Sequence, residues 1–247
     1  MTTMKLYLPL LAALALPALT ACGTDAPAAR QETGYATGLV MDTNGKPVAG
    51  ARILLDNTVF YASYINGSTG ADGTYRLKVQ PGAWRAYATI QKEYNGRTYS
   101  LDLHPDSADS FDDNGAVRNF TWKLEGRKPD NNWGYYGGLV KVFNESDFYE
   151  MENVEITLEP AGPLIDGSEG RTLVLRLGDN YWRDLAYLED IPIGRYTASA
   201  VLVDGGAPRA LRVRDYPDGD LAGRMQLDFF PDASGTPDST ASISIGY

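Results

Sequence analysis

One nearly unbroken apolar run, Leu6–Ala18, stands at the start of the chain, and nothing like it follows. From Tyr35 onward the apolar residues come in short runs that alternate with polar ones, broken by Gly, Pro, Asn and Asp, with no sustained helical period. Gly38–Met41 opens the series. Ala51, Ile53 and Leu55 then alternate with Arg52 and Leu54, as a half-buried strand requires. Tyr75, Leu77 and Val79 share one face, as do Trp84, Ala86, Ala88 and Ile90, and Arg97–Leu103 and Ala116–Leu124 complete the set. Between these runs Asn44-Gly45 predicts a type I′ turn, Asp72-Gly73 and Pro81-Gly82 reverse the chain, and Asn95-Gly96 is a hairpin signal. Short strands at this spacing predict an all-β sandwich.

The pattern then repeats. Gly137–Phe143 matches the opening run, Asn153–Pro160 matches Gly50–Asn57, and Tyr187–Leu202 matches Tyr75–Ile90 over sixteen residues without a gap. In that match Tyr75 falls on Tyr187, Val79 on Ile191, Gly82 on Gly194, Trp84 on Tyr196, and Ala86 and Ala88 on Ala198 and Ala200. Small residues at alternate core positions let a facing sheet approach closely. Further runs follow at Ala210–Arg214, Arg224–Phe230 and Ala241–Tyr247. The expected organisation is two tandem antiparallel, Greek-key β-sandwich domains, residues 35–125 and 134–247, joined by a linker at 126–133.

Residues 1–21 carry one positive charge, Lys5, then the apolar run with Pro9 and Pro17, and end in small residues. The run is shorter than the ~20 residues a bilayer span needs, so it reads as an export signal. Leu19-Thr20-Ala21-Cys22 resembles the lipobox of bacterial lipoproteins. That resemblance implies cleavage before Cys22 and a diacylglyceryl group on its sulfur. With Gly23 rather than Asp next, it implies the outer membrane in a Gram-negative envelope. Residues 22–34, small and polar with Pro27, form a flexible tether.

Gly38-Leu39-Val40, Asn44-Gly45-Lys46-Pro47-Val48, Gly50-Ala51, Asp72-Gly73-Thr74-Tyr75 and Pro81-Gly82 together resemble the carboxypeptidase regulatory-like domain. The resemblance covers Thr37–Ile90 and implies a transthyretin-like, Ig-like sandwich. The second copy lacks the Asn-Gly-Lys-Pro turn and is divergent.

Composition narrows the chemistry. The 247 residues include one His and one Cys, with 22 Lys and Arg against 32 Asp and Glu, a net charge of −10. This excludes an internal disulfide, a Cys-rich metal centre, the paired imidazoles of a zinc peptidase and an electrostatic footprint for nucleic acid. His104, the one imidazole, reads as a loop residue. No cofactor is expected, and a carboxylate-dependent hydrolase is the weakest reading. Asp109, Asp112, Asp113 and Asn114 concentrate hard oxygen donors in one loop without EF-hand spacing, so calcium is an open alternative to a solvated acidic loop.

Sixteen Tyr and four Trp exceed what two small cores need. Trp133, Tyr135 and Tyr136 stand where the linker enters the second copy, with Phe148, Tyr149, Tyr181 and Trp182 in or near loops. These residues are candidates either for packing between the copies or for contact with a partner or sugar. The expected function is a non-catalytic, lipid-anchored scaffold, adhesion or complex-subunit module of the cell envelope, meeting another envelope protein through sandwich loops and edges. Glycan binding through exposed aromatics is the alternative.

Overall fold

The structure, a computed structural model, describes residues 30–129, 134–145, 151–178, 181–182, 185–232 and 239–247. The leader, Cys22, Trp133, Phe148 and Tyr149 lie outside the described residues. Nine strands make the first half: β1 (Tyr35–Met41), β2 (Arg52–Asn57), β3 (Tyr64–Ser68), β4 (Thr74–Lys78), β5 (Trp84–Tyr94), β6 (Arg97–Asp102), β7 (His104–Pro105), β8 (Ala116–Val117) and β9 (Phe120–Thr121). The second half carries β10 (Gly138–Asn144), β11 (Val154–Pro160), β12 (Leu173–Arg176), β13 (Tyr181–Trp182) and β14 (Leu185–Ile191). It continues with β15 (Arg195–Leu202), β16 (Arg209–Asp215), β17 (Met225–Asp228), β18 (Phe230–Pro231) and β19 (Ser239–Gly246). A single turn of 3₁₀ helix, Met151–Asn153, precedes β11.

The first half packs a β3-β2-β5-β6 sheet against a β4-β1-β9-β7 sheet, with β8 also on β1. The second half repeats this wiring in one sheet ordered β12-β11-β15-β16-β19-β10-β14-β13. It folds into two layers at β16, whose first residues pair with β15 and whose last pair with β19. Pairing is antiparallel except that β8 and β9 run parallel to β1, and β19 runs parallel to β10. Each half therefore closes by laying its last strand beside its first.

The alternation read along the chain explains the cores. Ile53 pairs with Ala88 and Leu55 with Ala86, and in the second half Ile156 pairs with Ala200 and Leu158 with Ala198. All eight are buried. In both copies the alanines place small side chains at alternate core positions, which lets the facing layer approach closely. Trp84 Nε1 donates to the Gln80 carbonyl at 2.8 Å, and Tyr196 donates its hydroxyl to the Pro192 carbonyl at 2.7 Å, each reaching four residues back. Gly38 and Gly138 also correspond. A Cβ on Gly38 would sit 1.9 Å from the Arg118 carbonyl oxygen and 2.5 Å from the Tyr75 ring, and one on Gly138 would sit 2.3 Å from the Phe229 ring.

Three expectations need correcting. His104, read as a loop residue, lies in β7, where it pairs with Thr121. Asn95 and Gly96 both take positive φ, 48° and 74°, as a type I′ hairpin demands, but at Asn44-Gly45 only the glycine does. There the Asp42 carboxylate accepts the Asn44 and Lys46 N–H groups at 2.8 and 2.9 Å and shapes a longer turn. The gapless match of Tyr75 to Tyr187 also conceals a change of face. Tyr75, Leu77 and Val79 keep strict alternation, whereas Ala186 and Leu188 point inward and the next inward residue is Ile191. Asp190, at φ 61°, supplies the extra residue of a bulge, which leaves Tyr187 half-buried on the outer side.

Candidate functional site

The two halves meet at one pole of the first sandwich, where β1 ends and β5 turns into β6. Tyr94 donates its hydroxyl to the Pro163 carbonyl at 2.8 Å and accepts the Arg195 N–H at 3.0 Å. Tyr99, buried, donates to the Phe229 carbonyl at 2.7 Å. Thr43 donates to Asp166 at 2.7 Å, and the Arg97 guanidinium lies 4.2 Å from the Phe230 ring centre. The Asp190 carboxylate, displaced outward by the bulge, accepts the N–H groups of Gly126 and Gly137 and fixes the chain where it crosses between the halves.

This seam absorbs one of the aromatic candidates. Tyr136 is buried, and its hydroxyl lies 3.1 Å from His104 Nδ1 with the rings edge to face. Burial first, then the Asp102 charge, raises the Tyr136 phenol above its ordinary range. Burial first, then Lys123, lowers the His104 pKa, with Asp106 opposing. Tyr135 is half-buried and borders a depression of about 550 Å³ with Lys141, Glu189 and Asp232. Tyr181 and Trp182 form β13, paired with β14. A larger groove of about 740 Å³ runs between the halves, lined by Asp42, Arg52, Lys92, Trp122 and Asp232 among others.

The acidic loop is organised by internal bonds. Asp112 accepts both the backbone and side-chain N–H of Asn114 at 3.0 Å, Ser107 donates to Asp109 at 3.3 Å, and the Asp113 carbonyl accepts the Gly34 N–H at 3.1 Å. Among the described residues no three His, Cys, Asp or Glu side chains gather as a metal would require.

The opposite pole of the first sandwich carries a feature the sequence reading passed over. Between β2 and β3 the loop Thr58–Ser63 presents Val59, Phe60 and Tyr61 in succession, and their exposures are 69%, 63% and 100%. Burying side chains of this size contributes about 1.5–3 kcal/mol each, so leaving three together in water is a concentrated opportunity for contact. The loop is built to hold them out. Asn57, itself buried, accepts the N–H groups of Val59 and Phe60 on its side-chain oxygen, both at 2.9 Å. The Asn57 N–H donates to the Ser63 carbonyl at 3.0 Å, and the Thr58 N–H donates to the Ala83 carbonyl at 2.8 Å. Ala62 completes the reversal at φ 54°. Tyr64 and, on the outer face of β5, Tyr87 extend the aromatic surface away from the tip. Beside Tyr87 lies a shallow depression of about 170 Å³ floored by Leu54 and Arg52. The available signal was the run Val59-Phe60-Tyr61, apolar and lacking both alternation and the Gly or Pro of an ordinary turn.

No protein-family model matches the chain, and no curated protein matches it. Among solved structures it is similar to the Bacillus anthracis TIE protein at 10% identity and a TM-score of 0.28, covering 79% of this chain and 41% of that one. The chain thus spans less than half the length of that protein. It is similar to a putative adhesin from Bacteroides ovatus at 8% identity and a TM-score of 0.29, covering 80% and 83% of the two chains. It is also similar to BcpA, the major pilin subunit of Bacillus cereus, at 9% identity and a TM-score of 0.25, covering 87% and 99%.

Proposed function

We propose that the protein is a lipid-anchored, non-catalytic module of the cell envelope that acts as a scaffold, adhesion or complex subunit. In this reading Cys22 carries the acyl chains, residues 22–34 set the reach, and the joined sandwiches form the body that meets its surroundings. Each buried methylene adds about 0.8 kcal/mol, so the two or three chains of a lipoprotein hold firmly. The observation that carries the reading is the apolar loop Val59–Tyr61, held outward by Asn57 where folding alone gives it nothing to cover. Edge strands β3 and β12 offer a further surface, because an edge leaves backbone groups open to another strand.

Hydroxyl-radical footprinting tests the contact whatever its chemistry. Phe60 and Tyr61 oxidise more slowly in intact envelopes than in the purified protein. Equal oxidation in the two preparations refutes the reading. The groove of about 740 Å³ between the halves favours a second reading, binding of a glycan against its charged and amide groups. Saturable polysaccharide binding lost on Lys92→Ala supports that second reading.

A further inference from the structure

We infer that the loop Val59–Tyr61 docks into the interfacial layer of the bilayer to which Cys22 is tethered, with the second sandwich facing away from the membrane. The orientation depends on the anchored reading of Cys22 and adds to it the identity of the surface touched. It follows from where the chain enters the fold. Gly34 donates its N–H to the Asp113 carbonyl and accepts that of Val79. Phe111, two residues before Asp113, bridges Trp84, and Trp84 pairs with Asn57 at the root of the apolar loop. The entry of the chain and the loop therefore share one pole.

Arg30 is held close to that pole. Its carbonyl accepts the Thr37 hydroxyl at 2.7 Å, two strand residues, or about 7 Å, from the start of β1. The neighbouring Glu32 is paired with Arg76. Cys22 precedes Arg30 by eight residues, which extend to about 28 Å at most. From Thr37, where Arg30 is held, the opposite pole lies about 20 Å away along β1 at Thr43 and about 29 Å away along β5 at Tyr94, and there the second half is bonded to Thr43, Tyr94 and Tyr99. A tether of that length reaches the covered pole but does not lead around the second sandwich beyond it, whose strands run to eight residues, about 27 Å, so the free pole is the one turned toward the lipid.

The chemistry of that pole fits an interface. An aliphatic and two aromatic side chains lead, one of them a tyrosine whose hydroxyl suits the headgroup level. Asp109, Asp112 and Asp113 lie in the adjacent loop, so the surface preferred is zwitterionic and anionic lipid weakens the docking.

The test uses the lipidated full-length protein, purified and reconstituted alone into phosphatidylcholine vesicles. The chain's one cysteine is Cys22, so Ala62→Cys introduces a single reactive thiol at the loop for an environment-sensitive fluorophore. The expected result is a blue-shifted emission with roughly twofold or stronger quenching by bromolipids, greater for shallow than for deep bromines, as insertion of 5–10 Å gives. Phe60→Ser with Tyr61→Ser abolishes the quenching while the protein still floats with the vesicles. A label that stays water-exposed on floating protein overturns the docking, even where the loop is protected in intact envelopes, since the contact is then with a protein. Failure of the wild type to float overturns the anchor and the docking together.

Discussion

Replacing Tyr99 by Phe removes one hydroxyl and leaves the ring, so the change isolates a single hydrogen bond across the seam. That hydroxyl donates to the Phe229 carbonyl at 2.7 Å, with both residues about 1% exposed. A typical buried bond contributes about 1 kcal/mol net, and a buried acceptor left without its donor raises the loss toward 2 kcal/mol. A body of this size shifts its melting temperature by about 2–4 °C per kcal/mol, so the expected fall is about 2–8 °C. Thermal unfolding followed by calorimetry reads it directly. Tyr61→Phe, which alters a fully exposed hydroxyl, is the control and leaves the transition where it was. Tyr94 and Tyr99 stack edge to face at 6.2 Å, so Tyr94→Phe and Tyr99→Phe combine non-additively in a double-mutant cycle. Burial also raises the Tyr99 phenol above its ordinary range, a direction that ultraviolet absorbance of its ionisation reads. A Tyr99→Phe protein melting within one degree or so of the wild type refutes the idea that this bond joins the halves.

Gly38→Ala forces a methyl group against a backbone carbonyl and lowers stability by about 3 kcal/mol, measured by chemical denaturation; a loss under about 1 kcal/mol contradicts the packing. Asn57→Ala removes the acceptor for the Val59 and Phe60 N–H groups and costs about 1–2 kcal/mol locally, which hydrogen exchange reads as amide exchange roughly tenfold faster in the apolar loop. His104, the chain's one histidine, gives a single imidazole signal by NMR, and its midpoint lies below the ordinary value because burial disfavours the charged ring. Its neutral form is the one the fold accommodates, so its contribution is complete above the unfolded value of about 6.5. That contribution declines as pH falls through 6.5 toward the folded midpoint, and a midpoint at or above 6.5 contradicts the placement against Tyr136.

Alternation made the strands legible, because inward residues such as Ile53, Leu55, Ala86 and Ala88 repeat at period two wherever one face is buried. The repeat was legible for the same reason: Ala198, Ala200 and Tyr196 answer the same packing problem as Ala86, Ala88 and Trp84. Pattern alone missed two things. A bulge leaves composition unchanged, so Asp190 shifted the face of Tyr187 without a gap in the match. Parallel closure by β9 and β19 is a long-range choice, fixed by which edge of β1 and β10 is open. At the candidate site, aromatic content drew notice to the end of the linker, where Tyr136 packs inside against His104, while Phe60 and Tyr61 stood exposed in a hairpin loop. Exposure depends on the Asn57 bonds that keep the loop from folding back, and those need three dimensions.

The measurement that bears most directly on the function is the intact mass of the amino-terminal peptide from the native protein. A chain starting at Cys22 with a diacylglyceryl thioether is the predicted result. A retained leader with a free Cys22 thiol contradicts it.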